Sequence, residues 1–267
     1  MKPQRVTATS LETRPLRRPL VVFDFDGLLV NSYAVIRDTL ARFGLDVGAE
    51  ERFRNRRKFL KYLGGGRELV RNLVKIALPR NRQLREALTE EYRLAARVYP
   101  ELIAVLNAVI ADPMIQCGIL SRNFALEPGP TIREVLRRSG VFDEGLDFVI
   151  PIPVGVHKTE VLAGLRARPD TPALLVADEI GDYRAGELAG YQCLIGTYGF
   201  DTRRRLLSKG GLPPEILLDT PAAVADALES RLGMLACVRR PMLASAGDIG
   251  IEWECAPHTW VLRPSRG

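Results

Sequence analysis

The run Val21-Val22-Phe23-Asp24-Phe25-Asp26-Gly27 constrains this chain more than any other stretch. Its apolar residues are consecutive rather than alternating, which predicts a strand covered on both faces and therefore a parallel sheet under helices. An acid pair then closes the strand. Ionised carboxylates at such depth need cations or hydrogen-bond donors, and in open α/β sheets ligands gather outside the carboxyl ends of the strands. Asp24 and Asp26 are therefore site candidates. The plainer reading is a strand that runs into an acidic turn, and D-x-D-G alone does not choose between the two.

Four further apolar segments read as strands, at 116–120 (QCGIL), 148–152 (FVIPI), 173–177 (ALLVA) and 193–197 (CLIGT). Helical patterns separate them, at 100–112, 131–140, 157–168 and 183–190, and residues 215–229 read as a last strand and helix. Strands alternating with helices predict an α/β fold with a doubly wound, Rossmann-like parallel sheet. Residues 31–98 break that alternation, because they carry several helical patterns and no convincing strand. The expected organisation is a flexible basic arm over 1–19, an α/β core over 20–31 and 99–230, an inserted helical cap over 32–98, and a C-terminal extension over 231–267 with no clear period.

Composition narrows the class. With 267 residues, 46% of them hydrophobic, the chain can bury a large core. Thirty-eight Lys and Arg against 32 Asp and Glu leave a net charge of +6, which favours anionic partners. Cysteines 117, 193, 237 and 255 are scattered without a C-x-x-C pair, so they suggest neither a disulfide framework nor a zinc site. The polar N-terminus does not read as a secretory signal, and no apolar stretch approaches about 18 residues. A soluble, cytoplasmic protein is expected.

Each strand end supplies a polar residue of a different kind. The first gives Asp24 and Asp26; GILSRN gives Ser121, Arg122 and Asn123; VGVHKTEVL gives Lys158 at a helix start; LLVADEIGDYRAGELAG gives Asp178 and, four residues on, Asp182. Alone, a serine or lysine at a helix start is most simply a cap or a solvated charge. The ordered set puts a hydroxyl, a cation and two acid pairs on one sheet edge.

In this order the residues resemble the four motifs of the haloacid dehalogenase-like superfamily, in its phosphatase branch with a helical cap inserted after the first motif. The resemblance covers residues 20 to about 229. D-x-D-G with two apolar residues matches Asp24 to Leu29, Ser121 matches the second motif, Lys158 the third, and D-x-x-x-D through A-x-x-A-G matches Asp178, Asp182, Ala185, Ala189 and Gly190. Leu28, Asn31 and Thr159 depart from the commoner residues, Asn31 standing where Asp is frequent, but none of the three removes a charged catalytic group. The resemblance implies that Asp24 is a phosphate-attacking nucleophile and Asp26 a general acid and base. It implies Mg²⁺ held by Asp24, the backbone carbonyl of Asp26, and Asp178, with Asp182 in support directly or through water. Glu179 remains a possible further ligand. Ser121 and Lys158 would act on the phosphoryl oxygens, with Arg122 and Asn123 beside them as substrate contacts.

LGGGRELV, residues 63–70, resembles the glycine-rich turn that opens a cap helix in phosphoglycolate phosphatase and β-phosphoglucomutase relatives, which makes Arg67 a candidate substrate contact; a solvated Arg67 in an ordinary loop is the other reading. The basic residues from Arg52 to Lys61 would steer an anionic ester or form a solvent face. His157 is left as a neighbour of Lys158. The implied activity is Mg²⁺-dependent hydrolysis of a small phosphorylated metabolite through a phosphoaspartyl intermediate. A phosphomutase of the same family is the alternative. A non-catalytic anion- or nucleic-acid-binding protein is the alternative from another class, although no reader motif or aromatic–basic platform supports it.

Overall fold

The computed structural model describes residues 18–43, 50, 54, 79–123, 125–153, 156–166, 169–243, 251–256 and 259–264. The chain divides into two compact units, residues 1–228 and 229–267. In the first, six strands form one sheet in the order β3-β2-β1-β4-β5-β6: β1 Leu20–Phe23, β2 Gln116–Ser121, β3 Phe148–Pro151, β4 Ala173–Ala177, β5 Gln192–Gly196 and β6 Leu217–Leu218. Every pairing is parallel. All of β1 and β4 is buried, as consecutive apolar residues require of central strands covered on both faces. Leu20, Val22, Leu120, Leu162, Leu175 and Ile195 anchor one large core cluster.

Among the described residues the helices of eight or more residues are α1 Ser32–Arg42, α2 Pro79–Ala95, α3 Pro100–Ala111, α4 Pro128–Arg138, α5 Lys158–Leu165, α6 Ile180–Leu188 and α7 Pro221–Leu243. Asn31 caps α1 by accepting from the Ala34 N–H, so the departure at that position has a local use. Two helices begin three residues before their sequence patterns. Pro128 opens α4, where its fixed φ suits a first helical residue. The start of α6 is held by Asp201, whose Oδ2 accepts from the Ile180 N–H at 2.9 Å across 21 residues of sequence. α1 and α2 pack on each other, and the Arg42 guanidinium donates to Glu91 between them.

The strand order places the switch point at β1, with β2 on one side and β4 on the other. Because β1 pairs in register with β4, Phe23 beside Val176, the chain leaves both strands at nearly the same height, into Asp24 and Asp178.

Of the segment expected as a flexible arm, Arg18 and Pro19 fall among the described residues, and both are tied to the core. Arg18 donates to the Ile115 carbonyl and pairs with Asp147, while the Pro19 carbonyl accepts from Gln116 N–H as an extension of the sheet ladder. Residues 44–49, 51–53 and 55–78 of the expected cap, Arg67 among them, lie outside the described residues. In the second unit Ile251–Ala256 (β7) and Thr259–Pro264 (β8) form an antiparallel pair, so the tail is not without regular structure. No helix among the described residues is long and apolar enough to cross a membrane.

Candidate active site

The segment between β1 and α1 folds back tightly. Gly27 N–H donates to the Val30 carbonyl at 3.1 Å, and Leu29 N–H to Phe25 at 3.0 Å. Gly27 sits at φ +84°, a conformation that side chains disfavour, and a Cβ added there would strike the Asp178 carboxylate. Gly199 approaches the same carboxylate, and an added Cβ would collide with it as well. Asp178, fully buried, is thus seated between two glycine backbones, and its Oδ2 accepts from Phe200 N–H at 2.6 Å.

Asp24, Asp178 and Asp182 are all buried, and each can offer one oxygen such that the three lie within 4.8 Å of one another. Lys158, at the first position of α5, reaches into this group: its Nζ lies 3.2 Å from Asp24 Oδ2 and 2.9 Å from Asp182 Oδ2. Burial raises the Asp24 carboxyl well above the ordinary aspartate range; Lys158 pulls the other way, while Asp182 and Asp178 add to the rise. Burial also works against charge on Lys158, but Asp182 and Asp24 outweigh it and raise the lysine above its ordinary value. With all three carboxylates ionised, as a bound cation would favour, one ammonium leaves two negative charges over. The donor set is all oxygen and its charge suits a divalent cation, so this pocket fits a hard ion such as Mg²⁺.

Asp26, only two residues from Asp24, has different company. Its Oδ1 accepts from Ser32 Oγ at 2.6 Å, Tyr92 Oη at 2.5 Å and Asn123 Nδ2 at 3.2 Å; its Oδ2 accepts from Ser121 Oγ at 3.1 Å and Asn123 Nδ2 at 3.1 Å. Four uncharged groups surround this carboxylate. Burial and the Asp26 charge push the Tyr92 phenol well above its ordinary pKa, which keeps it a donor.

The structure therefore brings Asp24, Asp178, Asp182 and Lys158 into one pocket and gathers Ser121 and Asn123 on Asp26. Arg122 is exposed and donates to the Val156 carbonyl at 2.7 Å. His157 is exposed at the N-cap of α5. Glu179, the N-cap residue of α6, does not join the acidic group among the described residues. Of the basic run 52–61, Arg54 is described: half-buried, it donates to the Thr197 carbonyl just past β5 instead of facing solvent. Sequence reasoning did not single out Tyr92, Gly199 or Asp201. Tyr92 and Asp201 act at 66 and 21 residues' separation from their partners, and only a motif spanning those distances could have exposed them.

No protein-family model matches the chain, and no curated protein sequence matches it. Solved structures do match it. A Haemophilus somnus protein assigned as a phosphoglycolate phosphatase is similar with a TM-score of 0.56 and 20% identity, over 80% of this chain and 99% of its own. A Thermotoga maritima protein assigned as a β-phosphoglucomutase gives 0.54 and 16%, over 79% and 99%. A haloacid dehalogenase family hydrolase from Deinococcus radiodurans, with bound phosphate and sodium, gives 0.54 and 19%, over 80% and 96%. With this strand order, these paired acids and these likenesses, the chain has the fold of the haloacid dehalogenase-like phosphatases.

Proposed function

We propose that the protein is a Mg²⁺-dependent phosphatase acting on a small phosphomonoester through a phosphoaspartyl intermediate. The observation that carries this reading is the buried group of Asp24, Asp178 and Asp182 with Lys158 inside it, at the carboxyl end of the two central strands. A solvated acidic turn would not be buried, and a structural ion pair would not gather a third carboxylate beside the two that Lys158 already pairs. The fold it shares with phosphatases and a β-phosphoglucomutase-like protein supports the class of chemistry.

In this reading Asp24 attacks phosphorus while Asp26 gives a proton to the departing ester oxygen. Water then attacks the phosphoryl group on Asp24 and returns a proton to Asp26, releasing phosphate and restoring both carboxyls. Lys158 holds Asp24 and offers its charge to the phosphoryl oxygens; Ser121 adds a hydroxyl donor. Asp24, Asp178 and Asp182, with the Asp26 carbonyl, would hold Mg²⁺, which neutralises the charge that a phosphate dianion would otherwise meet. Arg67, Arg122 and Asn123 remain proposed substrate contacts.

Purified protein is expected to hydrolyse p-nitrophenyl phosphate with Mg²⁺ and not with EDTA, and Asp24→Asn to abolish this without unfolding the chain. Undiminished hydrolysis by Asp24→Asn would refute the reading. Phosphoryl transfer to a sugar phosphate that outruns transfer to water would instead make the enzyme a mutase.

A further inference from the structure

Three of the four groups around Asp26 come from the segments that follow β1 and β2: Ser32 opens α1, Ser121 ends β2, and Asn123 lies two residues on. The fourth comes from α2, the helix that leads from the inserted segment back to the core. Tyr92 is 2% exposed, its ring lies 6.4 Å from that of Phe25, and its hydroxyl makes the shortest contact to Asp26. A buried ring with two torsions fixes its hydroxyl more firmly than a serine does.

The placement of that ring is itself determined. Arg85, Thr89 and Tyr92 follow one another at i, i+4 and i+7 on α2, which puts them on a single face. Arg85 donates to the Ala125 carbonyl at 3.2 Å, and Thr89 Oγ1 accepts from Leu126 N–H at 2.9 Å. The same loop orients Asn123, whose Oδ1 accepts from Ala125 N–H at 2.9 Å. Two of the groups that hold Asp26 therefore depend on how α2 sits against residues 125 and 126.

We propose that Tyr92 is a positioning residue that aims the Asp26 carboxyl at the leaving-group oxygen, with α2 fixing its reach through Arg85 and Thr89. This rests on the phosphatase reading above. In the first half of the reaction the ester P–O bond breaks and the Asp26 proton passes to the departing oxygen; in the second, the attacking water gives its proton to Asp26. The Tyr92 hydroxyl keeps its own proton throughout and stays on Oδ1.

Proton donation matters most for a poor leaving group, and this separates aiming from mere packing. With Mg²⁺ present, Tyr92→Phe should lower kcat on phenyl phosphate by about 10- to 100-fold, and on 2,4-dinitrophenyl phosphate, which leaves without a proton, by less than about 3-fold. KM should change little. In an Asp26→Asn background the Tyr92→Phe loss should vanish, because the two residues act as one unit. Tyr92→His, which keeps a ring N–H, should recover part of the phenyl phosphate rate. Rates are taken per folded molecule, from the thermal transition of each variant. Should Tyr92→Phe fail to fold, Thr89→Val is expected to give the same ester-dependent loss to a smaller degree.

Equal losses on both esters, or a loss that persists undiminished beside Asp26→Asn, would overturn the role of Tyr92 while leaving an active wild-type phosphatase intact. Wild-type protein without Mg²⁺-dependent hydrolysis would remove the phosphatase reading and this inference with it.

Discussion

Asp24 and Asp26 share a side chain, a strand end and a distance of two residues, yet their surroundings have nothing in common. Asp24 faces two other carboxylates and a lysine, so its charge depends on cations. Asp26 faces two serine hydroxyls, a phenol and an amide, so its charge is dispersed over neutral dipoles. Environment, not residue type, thus separates the two roles proposed above, Asp24 as nucleophile and metal ligand and Asp26 as acid and base. The local backbone produces this divergence within three residues, by turning at Gly27.

Substitution on the two sides should therefore fail in different ways. The largest effect is expected for Asp24→Asn, which should lower kcat by about 10³-fold or more while leaving the metal-free protein at least as stable as before, since one of three crowded carboxylates is gone; a large fall in Tm would break the picture of a repulsive pocket. Asp26→Asn should cost about 10²- to 10⁴-fold in kcat. The variant should nevertheless keep a Mg²⁺-induced rise in Tm, which Asp178→Asn should lose. If the two variants behave alike in a thermal-shift titration, the division between the sites is wrong.

Lys158→Met leaves the buried carboxylates without their ammonium and should destabilise the metal-free protein by about 3–5 kcal/mol, seen as a lower urea midpoint. Metal and pH give a subtler contrast. Because the Asp24 carboxyl is raised in the folded state, the native protein holds a proton that the unfolded chain releases as pH climbs past the ordinary aspartate value. Stability from this group therefore falls with rising pH until the native carboxyl also ionises. Mg²⁺ at about 100 times its Kd should add roughly 2.7 kcal/mol at neutral pH and less at pH 5, where protons compete; an increment that grows on acidification would contradict the sign. Smallest in scale, Gly199→Ala should cost about 1–3 kcal/mol by pressing a methyl group on the Asp178 carboxylate, and lower activity with it.

Much of this architecture was legible because parallel strands are monotonous. β1 and β4 are unbroken apolar runs, and an acid directly after such a run marks both a strand end and a site. The three-residue error at α6 has a different origin: its first N–H is satisfied by Asp201, a residue on the far side of β5 that no local pattern connects to Ile180. Tyr92 escaped for a similar reason. A tyrosine among Leu84 and Leu88 on a helix reads as core, and it is core on all but one atom. In the tail, Ile251, Trp253 and Cys255 alternate with Glu252 and Glu254, but the repeat spans only five residues within 231–267 and so sets no period for the segment, although β7 occupies it.

The pairing of β1 with β4 has one more implication. Neighbouring strands in any sheet stand about 4.8 Å apart, so the ladder itself gauges the gap between the ends from which Asp24 and Asp178 hang. A slip of one residue along that ladder would reverse the facing of every side chain in β4 and carry Asp178 out of its glycine seat. The spacing of Asp24 and Asp178 is thus inherited from main-chain hydrogen bonding, and the side chains need only be short enough not to spoil it.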